Sequence, residues 1–180
     1  SDSSKLSSSL ITLLTHDGNV LWLCASTSPY YLYGGVFTVN GDSITVPTLT
    51  QLSNESQSGL PLYVCELSSA NKFLIGYNAE DNNNALNLAV ATVSGTTITI
   101  GTNLRVAPGT YSTSPGVSLV PLGNNTTFVS HCYGSDELSL HGQIFGIVSD
   151  VPSTTVTVPV YETQVKRTLD NVCRGVAKTS

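Results

Sequence analysis

Val90-Ala91-Thr92-Val93-Ser94-Gly95-Thr96-Thr97-Ile98-Thr99-Ile100 is the stretch that decides the fold. Its β-branched residues alternate with polar ones on both sides of a Ser-Gly pair, and period-two alternation belongs to a half-buried strand. Ser94-Gly95 reads as a tight hairpin turn, because Gly supplies the positive φ that two-residue loops demand. Working outward, Gly35-Val36-Phe37-Thr38-Val39 and Phe145-Gly146-Ile147-Val148 match Ala89-Val90-Ala91-Thr92-Val93. Asp42-Ser43-Ile44-Thr45-Val46 and Thr154-Thr155-Val156-Thr157-Val158 match the strand after the turn, with Asn40-Gly41 as the turn of the first copy. Upstream, Val20-Leu21-Trp22-Leu23-Cys24-Ala25 matches Phe73-Leu74-Ile75-Gly76-Tyr77-Asn78 and Phe128-Val129-Ser130-His131-Cys132-Tyr133. Val39, Val93 and Val148 set a period of 54 to 55 residues, and the third copy carries a small insertion at Asp150–Pro152.

The fold class that follows is all-β: three tandem four-stranded antiparallel meander units. In the second copy the strands fall near 61–67, 72–78, 86–94 and 96–103. Helical periodicity is absent except weakly at Val165–Cys173. Four-stranded meanders recurring about every fifty residues resemble propeller blades, but three fall short of the roughly 4–8 that close a propeller. A β-trefoil or a β-prism, each built from three four-stranded units, is the alternative. The expected organisation is a leader at 1–8, a three-repeat domain at 9–165 and a basic tail or linker at 166–180. The units lie at about 9–60, 61–115 and 116–165.

Composition narrows the function classes. Of 180 residues, 11% are charged and 40% hydrophobic, against averages of roughly 25% and 45–50%. Low net charge with this much apolar content is a folding composition, not a disordered one. Ser, Thr, Asn and Gly replace the missing charge, a surface common among extracellular adhesins and fibres. Residues 1–165 carry a net charge of -8 and residues 166–180 carry +3. An acidic body without a basic stripe excludes nucleic acid as a partner. No apolar run reaches the ~18 residues of a membrane span, and no signal peptide is present, so membrane insertion is not expected. The sequence lacks Met altogether, as a processed product would. Cys24, Cys65, Cys132 and Cys173 are widely spaced and read as buried or half-buried free thiols.

The phrase Val90–Thr102, with Lys72-Phe73-Leu74-Ile75-Gly76-Tyr77 before it, resembles the blade repeat of tailed-bacteriophage tail and fibre structural proteins. Gly175-Val176-Ala177-Lys178-Thr179-Ser180 resembles a C-terminal phrase of phage structural proteins, which there runs on into a Gly-rich turn and a final strand. The resemblance spans most of residues 10–165 and implies a virion location. It also implies other virion structural proteins as partners, and a tail or head fibre that attaches to a host surface. The sequons at Asn54, Asn124 and Asn125 matter only for secretion by a eukaryote, which this resemblance argues against.

Chemistry-bearing clusters are few. His16-Asp17 precedes Gly18 and reads as a turn, since no positioned nucleophile or G-x-S-x-G elbow accompanies it. His131 and His141 flank a loop with no third ligand at a telling spacing. Glu80-Asp81-Asn82-Asn83-Asn84 offers oxygens to a hard cation but lacks the D-x-D-x-D-G spacing, so it reads as a solvated turn. A glycosidase would need two carboxylates roughly 5–10 Å apart, and the acids here lie in turns. No catalytic residue, metal or cofactor is therefore expected, and the protein reads as non-enzymatic. In a four-stranded unit, the loop between strands two and three and the link to the next unit emerge on one rim. The candidate ligand-binding residues on that rim are Tyr30, Tyr31, Asn54, Glu80, Asp81, Asn82, Tyr111, Asp136 and Glu137, with Glu55 beside them. Aromatic faces beside amides and carboxylates suit sugar rings, so a host surface glycan is the expected ligand and a stand-alone lectin the alternative function. The open edges at Ser9–Leu14 and Thr155–Val160 invite pairing. They predict an obligate homo-oligomer, a trimer in preference to a dimer, with 166–180 leading away into a contact.

Overall fold

A computed structural model describes residues 6–26, 31–53, 62–79, 85–105, 117–133, 139–147, 156–157 and 162–166. All regular structure among them is β. The first sheet comprises β1 (Leu6–Leu14), β2 (Val20–Ser26), β3 (Leu32–Asn40), β4 (Ser43–Thr45) and β5 (Thr50–Gln51). The second comprises β6 (Tyr63–Glu66), β7 (Lys72–Ala79), β8 (Ala85–Ser94), β9 (Thr97–Ile100) and β10 (Leu104–Arg105). The third comprises β11 (Val117–Gly123), β12 (Thr126–Tyr133), β13 (Ser139–Ile147), β14 (Val156–Thr157) and β15 (Glu162–Lys166). Each sheet is an open antiparallel meander of four rows. Its outer row is two short strands, both paired with the third strand. No strand of one sheet pairs with a strand of another among the described residues, and no barrel closes.

The broken outer row departs from the single strand expected at 96–103. In the second sheet Gly101 turns its N–H back to Val90 O at 2.9 Å, separating β9 from β10. In the first sheet Pro47, which has no N–H for the ladder, lies in the break. β1 begins at Leu6, within the stretch expected to lead in. Val165 and Lys166 belong to β15 and not to a helical turn.

The hairpin loops lie one residue later than Asn40-Gly41 and Ser94-Gly95. Asn40 pairs with Ser43 and Ser94 with Thr97, which leaves Gly41-Asp42 and Gly95-Thr96 as the two-residue loops. Only the first residue of each has positive φ, 57° in both glycines, the pattern of a type II′ turn.

The core explains the order of the sheets. Leu21, Leu23, Leu32 and Val36 of the first sheet share a buried cluster with Phe73, Ile75, Tyr77, Ala89, Ala91 and Val93 of the second. The alternate residues of the second sheet, Leu74, Leu86, Leu88 and Val90, share another with Val129 of the third. The second sheet therefore stands between its neighbours, buried on both faces. This is why Leu86–Val93 reads as a near-continuous apolar run and not a clean alternation. Each fully buried large side chain contributes about 1.5–3 kcal/mol. The middle sheet supplies Phe73, Leu74, Ile75, Tyr77, Leu86 and Leu88, all exposed by 1% or less.

Candidate recognition end

Antiparallel meanders sort their connections by end. The turns β1–β2, β3–β4, β6–β7, β8–β9 and β11–β12 lie at one end of the sheets. The connections β2–β3, β5–β6, β7–β8, β10–β11 and β12–β13 leave from the other.

The turn end is closed chemistry. Asn71 and Asn125 precede the second strands of their sheets and take the left-handed conformation (φ 58° and 54°), which Asn tolerates better than most residues. Each reaches across to the turn of the sheet before it. Asn71 Oδ1 accepts from the His16 N–H at 2.8 Å, and its Nδ2 donates to Asp17 Oδ2 at 3.0 Å. Asn125 Oδ1 accepts from the Ser69 N–H at 2.8 Å, its Nδ2 donates to Ser69 Oγ at 2.7 Å, and its own N–H donates to Ser68 Oγ at 3.3 Å. Gly18, with φ +79°, holds the equivalent turn position in the first sheet. His16 and Asp17 thus form the receiving half of an inter-sheet clasp. The signal was present in the sequence as two asparagines 54 residues apart, each just before an inner strand.

The other end is where recognition residues were expected, and the first sheet shows how it is braced. Leu52 N–H donates to Leu32 O at 2.7 Å, and Leu32 N–H donates to Ser53 Oγ at 3.3 Å. Tyr33 Oη donates to Gln51 Oε1 at 3.3 Å, while Gln51 Nε2 donates to Ser53 O at 2.9 Å. This lattice joins the start of β3 to the end of β5, so the chain leaves for two connections from adjacent backbone. Tyr31, directly before β3, is half-buried at that junction. Tyr30, Asn54, Glu80, Asp81, Asn82, Tyr111, Asp136 and Glu137 lie outside the described residues, as do Glu55 and the Glu80–Asn84 cluster. The bracing residues Tyr33, Gln51 and Ser53 were not singled out in the sequence, because their partners lie 18 to 21 residues away.

The remaining candidates are quickly placed. Cys24 and Cys65 are buried free thiols, and burial pushes both up to about 11. Cys65 Sγ lies 3.9 Å from Thr127 Oγ1 across the second and third sheets. The side chains of Cys132 and Cys173 lie outside the description. The register sets His131 opposite His141 on adjacent strands. No group of three or more His, Cys, Asp or Glu suited to a metal occurs among the described residues. No described helix is long and apolar enough to cross a membrane.

Set against known proteins, the chain matches no family model, no curated protein and no solved structure.

Proposed function

We propose that this chain is a non-enzymatic structural component of a virion, part of a tail or head fibre, that holds loops against a host surface. Its three sheets serve as propeller-blade-like units. The observation that carries this reading is the division of labour between the two ends. Short turns clasp sheet to sheet at one end, and the connections between second and third strands, with the links from sheet to sheet, leave from the other, which is braced in the first sheet. A rigid frame with loops at one end is an economical way to present recognition surface. The Tyr, Asn and carboxylate content of those connections suits a glycan. Other virion proteins are the partners the low-charge, hydroxyl-rich surface would meet.

Mass spectrometry and antibody imaging of purified particles from the source test the location. The chain should be a stoichiometric particle component, and its absence from every particle would overturn the reading. A glycan array on the isolated chain tests the rim. Strong glycan binding by a chain that never enters a particle would favour the stand-alone lectin instead.

A further inference from the structure

One contact repeats along the stack: the outer row of each sheet lies on the third strand of the sheet before it. β9 packs on β3, and β14 packs on β8. Ile98 enters the first of these contacts over Gly34, where an added Cβ would stand 2.9 Å from Ile98 Cδ1. Two halves of this contact are left without a partner among the described residues. Among the described residues no third strand packs to that extent on β4, and no outer row from a following sheet packs to that extent on β13.

The unmatched half at β4 is built like its matched counterpart. Val39 pairs with Ile44 as Val93 pairs with Ile98. Val93 is 4% exposed, whereas Val39, Ile44 and Val46 are 43%, 65% and 77% exposed. Trp22 and Phe37, with ring centroids 5.8 Å apart, extend the same face. They sit on the strand positions that Ile75 and Ala91 occupy in the second sheet. The other half is present too. β13 carries Gly142, two 54-residue periods beyond Gly34, and it pairs with Ser130 as Gly34 pairs with Leu23. The second sheet stands between these halves, so one chain cannot join them to each other.

We propose that they belong to one interface between two copies of this chain. The β3–β4 hairpin of each copy seats on β13 of the other, with Ile44 over Gly142. The contact is head-to-tail, and such contacts either close into a ring or run on as a filament. Two copies give six sheets, inside the roughly 4–8 of closed propellers, whereas three copies give nine. The interface rests on the stacking of the sheets and stands whether or not the rim binds a glycan. Sequence alone favoured a trimer joined through strand edges; the faces argue for two copies joined through sheets.

Light scattering on the full chain at micromolar concentration should give twice the 18.9 kDa chain mass. Ile44→Lys, at an exposed position that leaves the fold intact by circular dichroism, should give the single-chain mass, and so should Gly142→Lys. Mixing the two variants should restore a two-chain species, because one intact hairpin then meets one intact β13. A wild-type chain that stays single, or a two-chain species that survives both substitutions, would overturn the interface. A three-chain mass would overturn it in favour of edge pairing.

Discussion

Asn125 does two separable jobs, and its substitutions should separate them. Its φ of 54° puts it where a β-carbon is disfavoured, and its side-chain amide fastens the third sheet to Ser69. Asn125→Gly keeps the backbone conformation and loses the clasp; Asn125→Ala loses both. Each lost hydrogen bond is worth about 0.5–1.5 kcal/mol, and the left-handed conformation costs a residue with a β-carbon roughly 1–2 kcal/mol. Denaturant unfolding should rank wild type above Asn125→Gly and Asn125→Ala below both. An Ala variant as stable as the Gly variant would mean that the turn conformation carries no strain. The buried thiols make a second residue-scale test. Cys24 and Cys65 are raised from 9.0 to about 11, so the folded state favours their protonated form. The stability tied to that preference is complete below about pH 9 and is lost as pH rises through about 11. Unfolding measured across that window should fall more steeply for wild type than for Cys24→Ala/Cys65→Ala, which removes both titrations. Equal slopes would show that burial does not hold these thiols protonated.

At the scale of the element, Gly34 is a tight point where the first sheet meets Ile98 of the second. An added Cβ would lie 2.7 Å from Leu52 Cδ1, 2.9 Å from Ile98 Cδ1 and 3.0 Å from Leu23 Cδ2. Each is the mobile end of a side chain, but three converge and cannot all retreat in one direction. Gly34→Ala should cost about 1–3 kcal/mol, the usual range for overpacking, and Gly34→Val more. Thermal unfolding of both variants checks the order, and a neutral Gly34→Val would show that the sheets separate freely there. Elements were also where the sequence was most and least legible. Alternation and turn residues placed the inner strands of the second copy at 72–78 and 86–94, against β7 at Lys72–Ala79 and β8 at Ala85–Ser94. In the third copy the match of Phe128 to Phe73 is one residue out of register. Thr127 and Val129 are buried on one face of β12, while Phe128 is half-buried on the opposite face. Faces alternate along a strand, so a one-residue slip exchanges core for surface. Asn71 and Asn125 fix the true offset at 54, but their role is visible only once sheets are stacked. Of the candidate rim residues only Tyr31 lies among the described ones, and the brace of Tyr33, Gln51 and Ser53 was not legible in the sequence. Such bonds depend on which strand ends meet in space.

For the molecule as a whole, the middle sheet decides whether the three sheets fold as one. It shares one cluster with the first sheet and another with the third, through alternate residues of the same strands. Phe73 and Leu74 are adjacent on β7, yet Phe73 belongs to the first interface and Leu74 to the second. Phe73→Ala should therefore weaken contact with the first sheet and Leu74→Ala contact with the third. Costs of about 3–5 and 2–5 kcal/mol respectively are typical of such truncations. If the stack unfolds in one step, each substitution lowers the whole transition, and probes on the first and third sheets melt together. Trp22 reports on the first sheet through its fluorescence, and hydrogen exchange along β12 reports on the third. Coincident loss of both signals in Leu74→Ala, a residue outside the first interface, is the expected outcome. A Trp22 transition left unmoved while β12 loses protection would show that the sheets open one at a time, as in repeat arrays whose units contact only their neighbours.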